Sequence, residues 1–138
     1  MALEVLYLLP INLISLRQAF DACQTRDPDL FHAYLDTFGI KLRKQQERED
    51  IMRFVDRVKR EVDPGALNDF YIGYVIPRIS KEFDLLRIGA NYILNIEIKH
   101  IGPFERIEKQ LRQNRHYLLA LKPGVRIFSF IASTGELY

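Results

Sequence analysis

With 138 residues, 48% of them hydrophobic and 28% charged, the chain is long enough to bury one core and is not a disordered polymer. Twenty basic residues against eighteen acidic ones leave a formal charge of +2, so a nucleic-acid partner would have to meet a local basic surface. Cys23 is the only cysteine, which excludes an internal disulfide, leaves no CxxC zinc spacing and makes a reducing, cytoplasmic setting the expectation.

The apolar stretch 1–16 is interrupted by Glu4 and Asn12 and has no preceding basic residue. It therefore reads as a buried helix or strand rather than a signal peptide or a membrane span, and no other segment is long enough to cross a bilayer. The first third of the chain is expected to be helical. Asp27-Pro28 has the form of an N-cap followed by proline at the first helical position, Gly39 suits the far end, and Leu30, Phe31, Tyr34, Leu35 and Phe38 repeat at helical spacing between them. A second helix is predicted over 42–62, with Ile51, Phe54, Val55, Val58 and Val62 as one narrow apolar stripe and Asp63-Pro64-Gly65 as its stop.

From Phe70 the pattern changes to strands: 70–76 ending at Pro77, then 82–88 and 92–98 around Gly89-Ala90-Asn91 as a tight hairpin connection. After Gly102-Pro103 a charged helix over 105–121 would turn Ile107, Leu111, Tyr117 and Leu118 to a sheet. Pro123-Gly124 ends it before a buried strand over 125–132. The predicted fold is α/β, a central mixed β-sheet flanked by helices, with residues 1–41 as an N-terminal helical segment packed on a core formed by 42–138. The tail 133–138 reads as a turn entering a further strand, and a fragment of a longer protein is the expectation.

Chemistry concentrates on two strands. Glu82 and Asp84 are two apart, as are Glu97 and Lys99, so strand periodicity places all four on one face, with Phe83, Leu85, Ile96 and Ile98 pointing into a core. A solvated strand face has no reason to order its charges as acid-x-acid beside acid-x-lysine, and clustered carboxylates repel unless a divalent cation lies between them. Asp84, Glu97 and the backbone carbonyl of Ile98 are the candidate ligands for Mg²⁺ or Mn²⁺, which would activate water for phosphodiester hydrolysis, with Lys99 orienting it or stabilising developing charge.

Asp84 followed thirteen residues later by Glu97-Ile98-Lys99 resembles motifs II and III of the PD-(D/E)xK nuclease superfamily, and Glu82-Phe83-Asp84 resembles branches with an E-x-D strand before the E-x-K strand. Gln113-Asn114-Arg115-His116-Tyr117 is similar to the Q-x-x-x-Y pattern of RecB-like members, which would set Gln113 and Tyr117 on one helical face to contact DNA or buttress the site. The resemblance spans about 69–132. It implies a restriction-endonuclease-like core and a metal-dependent nuclease, more readily of DNA than of RNA. The run Phe70-Tyr71-Ile72-Gly73-Tyr74 through Lys99 also resembles nuclease-like domains at the N-terminus of ATP-dependent helicases, implying fusion to or association with a helicase. The family's acidic residue on the first core helix has several candidates here (Glu47, Glu49, Asp50, Asp56 and Glu61), with Glu49 preferred because it lies off the apolar stripe.

Arg106, Lys109, Arg112 and Arg115 give the helix after the E-x-K strand a basic character fit for phosphates, although a merely solvated helix has the same composition. His100 is expected on the opposite strand face to Lys99, and His32 and His116 lack metal-ligand partners at i+4. No P-loop and no G-x-S-x-G signature is present. The rival readings are a catalytically inactive nuclease-fold module for nucleic-acid or protein binding, and an interaction domain whose apolar N-terminal helices make a homo-oligomer.

Overall fold

The apolar periodicities resolve into helices against a sheet. The computed structural model describes residues 8–23, 26–76, 81–102, 104–121 and 124–138. Pro77, Pro103 and Pro123, expected to punctuate the chain, lie outside them, as do residues 1–7 of the apolar N-terminal stretch. Helix α1 (Leu13–Cys23) buries Leu13, Leu16, Phe20 and Cys23, one stripe at helical spacing, and the Asn12 side chain accepts from Ser15 N–H at its start. Helix α2 (Pro28–Thr37) starts as predicted: the Asp27 carboxylate accepts from Leu30 N–H and proline occupies the first turn.

Helix α3 (Gln45–Val58) is shorter at both ends than the predicted 42–62. Leu42 is buried before the helix begins, with its carbonyl accepting from Arg48 Nε at 2.7 Å, and beyond Val58 the chain turns into a short 3-10 segment, Pro64–Leu67. Strands β1 (Phe70–Ile76), β2 (Lys81–Ile88) and β3 (Tyr92–Lys99) form an antiparallel meander. Helix α4 (Phe104–Leu119) then carries the chain to β4 (Gly124–Ile131), which runs parallel to β3, and β5 (Glu136–Leu137) returns antiparallel along β4.

The result is the expected α/β class: a mixed sheet in the order β1-β2-β3-β4-β5 with helices flanking it. One layer joins α1, α2 and α3 to the sheet through Leu16, Phe31, Leu35, Phe54 and Val55, which share a cluster with Phe70, Ile72, Leu85, Ile96 and Phe130. In a second layer Leu118 of α4 packs with Phe83, Leu86, Ile93 and Val125. No helix among the described residues is long and apolar enough to cross a membrane.

One expectation fails in an informative way. Strand alternation places Phe83 with Leu85, yet Phe83 packs with Leu86 and Leu118 in the second layer, whereas Leu85 joins the first. Tyr74 pairs with Phe83 and moves with it, although Ile72 and Leu85 stay together. The phase changes at the rung between them, Gly73 opposite Asp84, and Gly73 has a φ of 73°, a left-handed conformation that breaks strand alternation and strongly favours glycine.

A second glycine is required by close approach. A Cβ on Gly124, at the mouth of the parallel β3–β4 pair, would lie 2.6 Å from the carbonyl oxygen of Asn91. Gly124→Ala is expected to lower stability by about 1–3 kcal/mol through that backbone contact. Chemical denaturation measures it, and an unchanged midpoint would mean that the β3–β4 mouth can open freely.

Candidate active site

The two strands that carry the charged motif do not pair along their full length. The β2–β3 register runs from Ile88↔Ile93 to Leu85↔Ile96 and stops before Asp84 and Glu97. Side chains take over where the ladder ends. Asp84 Oδ2 accepts from Ile98 N–H at 2.8 Å, and Glu97 Oε2 accepts from Asp84 N–H at 2.9 Å. Each carboxylate thus satisfies a backbone donor on the other strand, which fixes both acids side by side at a splayed strand end.

Glu97 is 1% exposed and held by side chains on both sides. Asn95 Nδ2 donates to its Oε2 at 3.1 Å and to the Leu85 carbonyl at 3.0 Å, and Gln110 Nε2 on α4 donates to its Oε1 at 2.8 Å. Asn114 Nδ2 continues the chain of amides by donating to Asn95 Oδ1 at 2.8 Å, while Asn114 Oδ1 is buried without a partner among the described residues. Three N–H donors compensate the buried charge of Glu97.

Asp84 is held differently. Its Oδ1 has no hydrogen-bond partner among the described residues, and it borders a cleft of about 860 Å³ shared with Glu82, Ile98 and Lys99. Burial, then the charge of Glu97 and to a lesser degree that of Glu82, push its carboxyl from 3.8 up to about 7, against the opposing pull of the Ile98 N–H and the Lys99 ammonium. A group in this state favours a proton or a cation beside it.

Of the residues marked by sequence, Asp84, Glu97, Lys99, Glu82 and the Ile98 backbone come together at the splayed ends of β2 and β3. Gln113 does not join them: it is exposed, whereas Gln110 and Asn114 take the inward positions between buried Ile107 and Leu118. Tyr117 packs against the Phe83–Leu118 cluster, with its ring edge-on to His116. The Q-x-x-x-Y alignment thus falls off the face that meets the site, because the inward stripe of α4 follows 107, 110, 114 and 118.

Glu49 is also displaced. It bonds Gln45 Nε2 and does not border the cleft, whereas Glu47 and Asp50 do. Asp50 is 4% exposed and sits 3.0 Å from His100 Nδ1, with Gln46 Nε2 donating to the same oxygen at 2.9 Å. His100 leaves strand periodicity just past β3 and turns to α3, so simple alternation gave it no partner. Arg106, Lys109, Arg112 and Arg115 are all exposed on α4; Arg112 pairs with Glu108, and the other three make no ion pair among the described residues. Gln110, Asn95 and Asn114 went unmarked, although Gln110 and Asn114 are four apart on one helical face and Asn95 is two before Glu97.

No family model matches the chain, and no curated protein and no solved structure matches it either.

The donor set can be tested against a hard divalent cation. No group of three or more His, Cys, Asp or Glu side chains able to hold a metal is found among the described residues. Mg²⁺, however, is commonly held by one or two carboxylates with water and substrate phosphates completing an octahedron. Asp84 offers an unbonded oxygen, and Glu97 Oε1 receives one donor and keeps a lone pair. Asp84 therefore fits as a direct ligand at the cleft, whereas Glu97 is 1% exposed and does not itself border the cleft.

The carboxylate arrangement has consequences for stability in the absence of cations. The folded-state value of Asp84 is raised, so its contribution to stability is fully present below about pH 4 and is lost as pH rises through about 7. In EDTA, Asp84→Asn should flatten that loss and gain on the order of 1–2 kcal/mol at pH 8; solvent screening at this half-buried position keeps the gain below the roughly 4 kcal/mol of a full shift. Glu97→Gln should instead cost about 1–3 kcal/mol, because its NH₂ would face N–H donors. Thermal melts of the three proteins from pH 5 to pH 8 decide this, and parallel curves for wild type and Asp84→Asn would show that the carboxylates do not oppose one another.

Proposed function

We propose that this chain is a Mg²⁺- or Mn²⁺-dependent nuclease with a restriction-endonuclease-like core of the PD-(D/E)xK type, cleaving phosphodiester bonds in DNA. The observation that carries the reading is the pairing of Asp84 with buried Glu97 at a splayed strand end, where Asp84 and Lys99 line an open cleft. Two acids, a lysine and a concave surface are what phosphodiester hydrolysis requires of a protein when a metal supplies the nucleophile.

Asp84 and Glu97, with the Ile98 carbonyl, would hold the ion, and when bound it supplies an activated water and neutralises phosphate charge. The chain's own groups do the rest. Gln110 and Asn95 keep the Glu97 carboxylate from rotating, and the Ile98 N–H leaves one oxygen of Asp84 facing outward. Lys99, on the same cleft, stabilises negative charge that builds on the phosphate. The cations of α4 that have no acidic partner among the described residues, Arg106, Lys109 and Arg115, supply a phosphate-binding strip whose affinity falls with salt. Association with a helicase rests on the resemblance of residues 70–99 alone.

A second reading has one observation in its favour: Glu97 is 1% exposed and held by the Asn95 and Gln110 amides, as in a carboxylate kept for structure. That reading is an inactive module that retained the nuclease fold and binds nucleic acid or protein.

The two are separated by incubating supercoiled, linear and single-stranded DNA with wild type, Asp84→Ala and Lys99→Ala in Mg²⁺, Mn²⁺ or EDTA. The nuclease reading expects cleavage only with metal, and reduced about a hundredfold or more in each variant. DNA binding with no cleavage under any condition would favour the inactive module.

A further inference from the structure

A second concavity, about 460 Å³, opens on the same layer as the cleft but toward the other end of β3, and α3 walls both. Its floor is Leu94, Ile96 and Phe128, and its α3 side is Phe54 and Val58, with Val62 39% exposed at the edge. The volume falls in the range of small-molecule sites, roughly 300–1,000 Å³. None of the residues assigned to the nuclease reading lines it.

The polar groups at this groove are cationic. Arg87 pairs with Leu94, and Leu94 pairs with Arg126, so the two arginines flank Leu94 in one row across β2, β3 and β4. Their backbones are two strand spacings apart, about 10 Å, and rung partners share a face of the sheet. Arg87 Nη1 donates to the Tyr92 hydroxyl at 3.2 Å, and neither arginine has a carboxylate partner among the described residues. No acidic residue lines the groove either. An apolar trough with two guanidinium groups and no counter-charge is complementary to a molecule with an aliphatic tail and an anionic head, since guanidinium forks bind carboxylate bidentately.

We propose that this groove binds a linear aliphatic carboxylate, its tail between α3 and the sheet and its carboxylate between Arg87 and Arg126. Tail burial sets affinity and the arginines set the choice of head. Because α3 also carries Glu47 and Asp50 on the catalytic cleft, an occupied groove bears on a helix that borders both concavities.

Calorimetric titration of the whole chain with octanoate, decanoate and dodecanoate, each below its micelle concentration, tests this. Affinity is expected to rise about fourfold per added methylene, the fold-change equivalent of about 0.8 kcal/mol. Decanol and decyltrimethylammonium should bind at least tenfold more weakly than decanoate. Arg87→Gln/Arg126→Gln should remove that preference, and Val62→Glu should abolish binding, both with unchanged circular dichroism and melting temperature. The proposal fails if decanoate does not bind wild type, if decanol binds equally well, or if neither variant weakens decanoate. It also fails if sedimentation shows a wild-type dimer that Val62→Glu dissociates, since a second copy would then cover the groove.

Discussion

The exchange of side-chain-to-backbone hydrogen bonds between Asp84 and the Glu97-Ile98 peptide governs much of the rest of the structure. A hairpin with short side chains at these positions could continue its ladder. Here two carboxylates occupy the next rung, and each takes the backbone donor that its neighbour would otherwise leave unpaired. The strands part, yet no donor is lost, and two like charges are locked at a distance where they oppose one another. The raised value of Asp84 is the electrostatic consequence of that constraint, with burial as its larger cause.

The constraint reaches both layers. Through Gln110 and the Asn95–Asn114 amides, Glu97 is tied to α4, and through Asp84 the site opens on the cleft bounded by α3. Gly73 stands opposite Asp84 on the edge strand, and its positive φ lets β1 change face at the same rung. A Cβ there would come 3.4 Å from Glu82 Oε1, an ordinary contact, so it is the backbone conformation that calls for glycine. The backbone irregularity, the phase change of Phe83 and the parting of the strands occur at one level of the sheet.

Much of this was legible in the residues. The Asp27-Pro28 start, the limits of β1 and the parallel return of β4 through α4 follow from capping chemistry, β-branched and aromatic runs and crossover logic, all local signals. That Asp84 and Glu97 share a rung was legible because the short hairpin fixes it. Their expected place on one strand face was not kept: Asp84 borders the cleft walled by α3, and Glu97 bonds Gln110 on α4. What was not legible depends on phase. Gln113 and Gln110 differ by three positions on α4, and only the packed helix shows which one faces Glu97. Asp50 lies within the buried stripe of α3 and resembles a misplaced polar residue until His100 is seen beside it. Phe83 misled because alternation assumes an unbroken strand, and the break lies in Gly73 on the partner.

The central claim is that Asp84 and Glu97 form a strained carboxylate pair that a divalent cation relieves. It is tested most directly by the pH titration of the Asp84 carboxyl carbon, followed by NMR with and without Mg²⁺. The account predicts a midpoint near 7 in EDTA that falls by more than one pH unit in saturating Mg²⁺, since the ion competes with the proton for the outward oxygen. A midpoint near 4 that Mg²⁺ leaves unmoved would contradict it, and Asp84 would then be an ordinary solvated carboxylate.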